Sequence, residues 1–104
     1  MATHIEFMKY VEDQLMDLSG LRFKKMFGEY GVFMHEKMVG ILSDDQLFIK
    51  PTQEGLNLVD YPLYAPPYPG AKDYFLIENI EQRAFLKQLI MTTYDALPIP
   101  KKKK

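Results

Sequence analysis

The first twenty positions carry the apolar spacing of an amphipathic helix. The apolar residues recur at three- and four-residue spacing and form one stripe: Met8, Val11, Leu15 and Leu18. Thr3, with Glu6 three residues later, fits a capping box, in which a hydroxyl and a carboxylate satisfy the first backbone N–H groups. Ser19 and Gly20 supply a stop signal. The pattern predicts a helix over about residues 4 to 18.

Residues 22 to 50 have the alternation and turn spacing of β structure. The predicted strands are Arg22–Phe27, Val32–His35, Met38–Leu42 and Gln46–Lys50. The turns between them fall at Gly28–Gly31, at residues 35 to 37 and at residues 43 to 45. Connections this short favour antiparallel hairpins and hence a meander. The alternation is imperfect, so we expect both faces of the sheet to be partly covered.

The next segment combines a weak helix signal with a proline-rich stretch. Thr52 is placed to cap a short helix within residues 52 to 60, which Gly55 weakens. Residues 61 to 74, YPLYAPPYPGAKDY, contain four of the seven prolines together with four tyrosines. Proline fixes φ and removes a backbone donor, so an ordered loop or extended crossing is expected. Tyr74–Ile77 is predicted as a fifth strand at the edge of the sheet.

A second helix is predicted near the C-terminus. Its broad apolar face consists of Phe85, Leu86, Leu89, Ile90, Thr93, Ala96 and Leu97. Asn79 is the predicted cap, and Pro98 and Pro100 end the helix. Residues 98 to 104 are expected to form a mobile Pro/Lys tail. The predicted fold is α+β: one domain over residues 1 to 97, in which an N-terminal helix, an antiparallel β-meander with an added edge strand, and a C-terminal helix pack on one face of the sheet.

Charge and composition limit the classes of function. The formal net charge of −1 hides a split: without the four C-terminal lysines, 9 basic residues remain against 14 acidic ones, a net charge of −5. An acidic body is a poor surface for phosphate backbones, so nucleic-acid binding is disfavoured. It stays open as an alternative, using Arg22, Lys24, Lys25 and the lysine tail. The sequence shows no signal peptide and no apolar run long enough to span a membrane, so a cytoplasmic protein without membrane contact is expected.

The stretch MFGEYG, residues 26 to 31, raises the question of a phosphate-binding loop. A P-loop has a longer glycine spacing followed by Lys and Ser or Thr, and it opens a helix. A Gly-x-x-Gly clamp of the KH type is also disfavoured, because the flanking residues are β-like. Gly28 and Gly31 are therefore interpreted as a hairpin turn, preceded by Met26 and Phe27. Tyr30 lies either at its tip or folded back over the sheet.

No catalytic or metal site is predicted, and no cofactor is expected. The chain has no cysteine, and its two histidines, His4 and His35, are far apart in sequence. A zinc site needs three or four converging ligands. Asp44 and Asp45 lack the alternating acidic pattern of a calcium loop and are typical of a turn. The protein is therefore predicted not to be an enzyme.

The PPYPG stretch is the most suggestive candidate for binding. Pro66 and Pro69 match the P-x-x-P pattern of polyproline ligands, although a rigid loop packed on the core explains the same residues. Exposed tyrosines in this loop would form a protein-contact surface. The candidate binding residues are Lys25, Tyr30, Lys50, Tyr68 and Lys72. Pro69 and Gly70 are structural candidates for the turn that presents them.

The stretch KKMFGEYGVFMHEKMVGILSDDQLFIKPT resembles the N-terminal domain of the TfoX/Sxy family. The positions that carry the resemblance are Met26, Phe27, Gly28, Tyr30, Gly31 and Lys50. The later stretches APPYPGAKDYFLI and ALPIP are similar to a subgroup of short members. The resemblance covers nearly the whole chain, which would be a single-domain member without the second domain of full-length members.

The resemblance implies an α+β fold of the secretion-chaperone type, whose subunits commonly form dimers through the sheet. It also implies a bacterial regulator, because founding members promote competence gene expression, and it brings no catalytic residues. The expected function is a non-enzymatic regulator or adaptor that acts through protein contacts as a homodimer. The alternatives are a nucleic-acid-associated transcription regulator and a small-molecule-binding domain that uses the PPYPG loop.

Overall fold

The computed structural model describes residues 3–26 and 28–98 of the chain. Within these ranges there are three helices: α1 (Ile5–Gln14), α2 (Gln53–Leu56) and α3 (Arg83–Ala96). The strands are β1 (Leu21–Met26), β2 (Glu29–Met34), β3 (Lys37–Ser43), β4 (Gln46–Ile49), β5 (Tyr64–Ala65) and β6 (Tyr74–Ile77). Phe27 and the segment from residue 99 onward, with Pro100 and the four lysines, lie outside the described residues, so their predicted roles stay predictions.

The strands form a single antiparallel sheet in the order β1-β2-β3-β4-β6-β5. The first four strands are consecutive neighbours, which confirms the predicted meander. The hairpins are tight: the closing pairs are Met26–Glu29, Met34–Lys37 and Ser43–Gln46. The turn predicted over Gly28–Gly31 is therefore too long. Gly28 has a φ of +82°, as a tight turn requires, but Gly31 lies inside β2, paired with Lys24 and Ile41.

The prediction that Tyr74–Ile77 is the edge strand was wrong in its position. The strand forms as β6, but it pairs with β4 on one side and with the two-residue strand β5 on the other. β5 lies within the proline-rich stretch, immediately before Pro66. A two-residue strand has no periodicity in sequence, and it exists here because β6 offers it a hydrogen-bonding edge.

Two of the three predicted helix caps were wrong. α1 begins after His4 with no side-chain cap, and the Thr3 hydroxyl instead donates to Glu29 Oε1 at 2.6 Å. α3 begins after Gln82 rather than after Asn79, again without a side-chain cap. Thr52 does cap α2, where its hydroxyl accepts from the N–H of Gly55 at 2.9 Å.

α1 and α3 pack on one face of the sheet, which confirms the predicted α+β fold. One row of inward side chains crosses four strands in register: Tyr30, Leu42, Leu47 and Ile77. The core is completed by Val11 of α1, by Leu15 directly after the end of α1, and by Leu86, Leu89 and Ile90 of α3, and all five are at most 1% exposed. The apolar stripe predicted for α3 is the face that meets the sheet. The helix predicted over residues 4 to 18 ends at Gln14, so Leu15 and Leu18 of its predicted stripe pack on the core from beyond the end of α1.

The opposite face of the sheet, which we call the outer face, is also partly covered, as the imperfect alternation predicted. Ile41 and Phe48 point to it, yet they are only 5% and 3% exposed. Pro67 is buried, and the following Tyr68 lines a cavity together with Ile41. The proline-rich loop therefore approaches this face of the sheet and contributes to its cover.

Across residues 3–26 and 28–98, no helix has the length and apolar character that crossing a membrane requires.

Candidate functional site

The outer face contains an apolar depression, which we call the outer groove. Its volume is about 470 Å³, and it is lined by Met26, Glu29, Met38, Ile41 and Tyr68. Because side chains alternate between the faces of a sheet, Met26, Glu29 and Ile41 project from three adjacent strands onto this face. The strands form the floor and Tyr68, from the proline-rich loop, forms one wall.

Gly31 makes room for the long side chains of the groove. A Cβ built on Gly31 meets Phe33 Cε1 at 2.9 Å, Met26 Cε at 3.1 Å and Met38 Sδ at 3.4 Å. Two methionines and a phenylalanine therefore converge over a position that has no side chain. Methionine is flexible and polarisable, so the groove can adapt to an apolar partner.

Tyr68 is presented to the groove by a tight turn. The N–H of Ala71 donates to the carbonyl of Tyr68 at 3.1 Å, with Pro69 and Gly70 between them. Gly70 has a φ of +87°, which with the preceding proline is the pattern of a type II turn. The Tyr68 side chain remains 55% exposed. Pro69 and Gly70 are the two central residues of this turn.

Lys50 and Tyr74 occupy the outer face near Tyr68. The β4–β6 register, extended by one residue past Ile49–Phe75, brings Lys50 opposite Tyr74. Partial burial lowers the pKa of the Lys50 ammonium. Burial, with a smaller contribution from Tyr68, raises the pKa of the Tyr74 phenol. These three residues therefore share one end of the outer face, at the border of the proline-rich loop.

The remaining candidates do not join this site. Tyr30 is 7% exposed and belongs to the core, so of the two positions considered for it, the one folded back over the sheet is the observed one. Lys25 lies opposite Tyr30 on β1, the strand at the edge of the sheet, and it is exposed to solvent. Lys72 is exposed beyond the Pro69–Gly70 turn. The outer groove is lined by Tyr68 but not by Lys25, Lys50 or Lys72.

Sequence reasoning missed Glu29, Met38 and Ile41 as groove residues. The available signal was the alternation of β2 and β3 combined with a glycine between apolar neighbours. Glu29 also fixes one end of the groove, because its Oε1 accepts from the Thr3 hydroxyl at 2.6 Å and from the N–H of Asp44 at 3.3 Å. This carboxylate is occupied by structural hydrogen bonds, and the other lining residues are apolar except for the Tyr68 hydroxyl.

The described ranges contain no group of three or more His, Asp or Glu side chains placed to hold a metal ion. His4 is already hydrogen-bonded to Asp45, with 2.6 Å between His4 Nδ1 and Asp45 Oδ2.

The lining of the outer groove is suited to apolar contact, with a tyrosine at its wall and a lysine nearby.

Fold and site together define a small α+β domain with two helices on one face of an antiparallel sheet and an adaptable apolar groove on the other. The chain belongs to the TfoX N-terminal domain family, whose sequence model matches residues 13–96. This confirms the resemblance carried by the MFGEYG stretch and the strands after it. The family suggests a regulatory, competence-related role, and it is not known for enzymatic activity.

A relative of similar length was found in Spirochaeta aurantia. It is an uncharacterized 12.7 kDa protein in the trpE 5' region, and it is 38% identical to this chain over 105 residues. The similarity covers 100% of this chain and 91% of the relative. The similarity therefore extends over the whole α+β domain described above.

Proposed function

We propose that this protein is a non-enzymatic regulator or adaptor of the bacterial cytoplasm that acts through protein contacts as a homodimer. The observation that carries the proposal is the outer groove, an apolar depression of about 470 Å³ on the sheet face opposite the helices. We place the dimer contact there. The regulatory role that the family suggests supports the part of the proposal that makes this protein a regulator.

The composition of the groove supports a protein contact. Tyrosine and methionine are enriched in interfaces, and exposed tyrosines often contribute most of the binding free energy. In a two-fold dimer the same patch faces itself, so a protruding side chain beside a depression is self-complementary. Tyr68 stands beside the groove, so the Tyr68 of each copy is positioned to enter the groove of the other.

Sedimentation equilibrium at micromolar concentration tests the dimer. We expect the wild-type protein to be dimeric and Tyr68→Ala to raise the dissociation constant at least tenfold, which corresponds to about 1.4 kcal/mol. Tyr61→Ala is the matched control, because Tyr61 is an 89% exposed tyrosine of the same proline-rich stretch that does not line the groove. A monomeric wild-type protein, or an equal effect of the two substitutions, contradicts the proposal.

A second candidate function, association with nucleic acid, draws support from the exposed cations Arg22, Lys24 and Lys25 on β1. Phosphate backbones are bound through such clusters, and the binding weakens steeply with salt. A mobility-shift titration with duplex DNA at near-physiological salt distinguishes the two candidates. A shift at micromolar protein supports this second function, and its absence excludes it.

A further inference from the structure

β1 is a long strand with one unpaired edge. It pairs with β2 through six residue pairs, and no strand lies on its other side in the part of the chain that the structure describes. The other end of the sheet is protected differently, because β5 has only two residues and is followed by Pro66. β1 contains no proline, so its outer edge leaves backbone donors and acceptors available to another strand.

The charges on β1 disfavour pairing with a second copy of the same strand. Arg22, Lys24 and Lys25 are all exposed, and antiparallel pairing of two copies of β1 brings these cations against one another. Like charges directly opposite each other are destabilising, and lysines at an edge are a common protection against self-association. The same charges attract a strand that carries carboxylates.

The cations of β1 retain capacity for such a partner. Lys24 and Lys25 form no ion pair with any residue in the described ranges. Arg22 is held in place, since its Nη2 donates to the carbonyl of His35 at 2.9 Å and its guanidinium lies 5.3 Å from the centre of the Phe33 ring. By strand alternation, Arg22 and Lys24 project on the outer face.

On the inner face, a groove runs between β1 and α1. Its volume is about 430 Å³. Its apolar lining includes Leu18, Leu21 and Phe23, which are half-buried, and Met16, which is 67% exposed. A strand added to the edge of β1 directs every second side chain toward this side. Glu12 and Asp13 of α1 also border this groove, against the single cation Lys9, so the net negative charge of the lining favours apolar over acidic side chains here.

We propose that the free edge of β1 binds an extended segment of a different protein, one in which apolar and acidic side chains alternate. The segment adds a strand to the sheet, with its carboxylates against Arg22 and Lys24 and its apolar side chains in the β1–α1 groove. The proposal deepens the proposed function by naming a partner class, but it uses a surface separate from the Tyr68 groove.

Fluorescence anisotropy with a labelled ten-residue peptide that alternates glutamate and valine tests this on the full-length protein. We expect binding that weakens with added salt, and slower amide exchange at Leu21–Met26 in the complex. Lys24→Glu should weaken binding roughly fivefold, because one attraction becomes a repulsion. The control Ala84→Glu/Gln88→Glu changes the net charge by the same two units on the exposed side of α3 and should leave the affinity unchanged.

Three further probes identify the mode of binding. A peptide with proline at its two central positions should not bind, because proline removes the donors that strand pairing needs. A peptide with lysine in place of glutamate should also fail. Tyr68→Ala should bind like the wild type even if it alters the oligomeric state, which separates this proposal from that of the dimer.

Several results overturn the proposal. These are no binding of the glutamate–valine peptide, equal binding of the proline peptide, no effect of Lys24→Glu, or loss of binding in Tyr68→Ala. Tighter binding of a single-stranded oligonucleotide that Lys24→Glu abolishes assigns the edge to nucleic acid instead, and also overturns the proposal.

Discussion

At the first turn of α1, His4 is hydrogen-bonded to a residue that lies 41 positions later in sequence. The carboxylate of Asp45 accepts from the backbone N–H of His4 at 2.8 Å and lies 2.6 Å from its Nδ1. The hydrogen bond to Asp45, together with its charge, raises the pKa of His4. The hydrogen bond from the backbone N–H of His4 makes the largest contribution to lowering the pKa of Asp45, and the hydrogen bond with the His4 imidazole lowers it further. The pair thus ties the start of α1 to the β3–β4 turn.

We predict a pH-dependent contribution of this pair to stability. Because the pKa of His4 is raised in the folded state, its contribution is complete below the ordinary value of 6.5 and is lost as the pH rises through the raised value. Because the pKa of Asp45 is lowered in the folded state, this residue stabilises the fold above pH 3.8, and the contribution is lost as the pH falls through the folded-state pKa. An NMR titration should place the midpoint of His4 above 6.5.

Asp45→Asn is the matched variant for that titration. Asn tolerates the left-handed φ of +57° at this position but carries no charge, so the turn is retained while the pKa of His4 returns toward 6.5. A His4 midpoint at or below 6.5 in the wild type, or one that Asp45→Asn leaves unchanged, contradicts the prediction.

Two buried glycines of the sheet should respond differently to alanine. A Cβ on Gly40 clashes with the backbone oxygen of Phe48, so Gly40→Ala must displace the β3–β4 pairing. We expect a loss of about 2 kcal/mol in the free energy of unfolding. A Cβ on Gly31 meets only movable side chains, and Gly31→Ala should cost below about 1 kcal/mol. Urea denaturation measures both, and equal losses contradict this account.

At the residue scale the sequence was reliable where the partner is local. Thr52 caps α2 as predicted, because its partner Gly55 is three residues away. The Thr3 hydroxyl was predicted to cap α1 but donates to Glu29, 26 positions later in sequence. The capping signal fails because folding gives this hydroxyl partners that are distant in sequence: it donates to Glu29 and accepts from the backbone N–H of Asp45 at 3.4 Å, which the sequence alone does not reveal.

At the scale of elements, the hairpin turns form close to where the sequence predicted them, although the first is shorter than predicted. Asp44 and Asp45 both adopt positive φ, of 54° and 57°, as a two-residue turn of type I′ requires. Their selection as turn residues was correct. Gly31 was assigned to a turn because glycine is a turn residue, whereas its role is to leave space between Met26 and Met38.

Lys37 connects β3 to the last turn of α3. Its ammonium donates to the carbonyl of Tyr94 at 2.7 Å and lies 4.3 Å from the centre of the Tyr94 ring, while the residue is 8% exposed. A cation near a helix C-terminus is favourable, and the ring adds to the attraction. Lys37→Met keeps the apolar stem and removes the charge, so we expect a loss of about 1 kcal/mol in unfolding free energy.

Lys87→Met is the control for that measurement. Lys87 is bonded to Asp17 at 3.0 Å, but this carboxylate is exposed to solvent. Thermal or urea unfolding should show a clearly smaller loss for Lys87→Met than for Lys37→Met, because exposed ion pairs contribute little. An equal or larger loss at Lys87 contradicts the importance given to the Lys37–Tyr94 contact.

At the scale of the whole molecule, the sheet is covered unequally on its two faces. The helices and the main core cover one face, and the proline-rich loop covers part of the other, where Ile41 and Phe48 are almost fully buried. The partial cover leaves the outer groove beside Tyr68. The loop thus contributes to stability and also shapes the surface that we propose as a contact.

Neighbouring prolines allow a test of this cover. Pro67 is buried and Pro66 is exposed. Both Pro66→Ala and Pro67→Ala release the same backbone restriction, but only Pro67→Ala removes buried methylene groups, so it should cost about 1 kcal/mol more. Urea denaturation of the two variants measures the difference. Equal losses mean that the loop does not stabilise the outer face.

The sequence by itself determined the α+β class, the order of the main elements and the inward faces of α1 and α3, because helical and strand periodicities are local properties of the chain. Tertiary structure decided the rest: the pairing of β5 with β6, the partner of Thr3, the burial of Tyr30 and the joining of Met26, Met38 and Tyr68 into one groove. These features depend on contacts between residues distant in sequence, and such contacts are fixed only when the layers pack together.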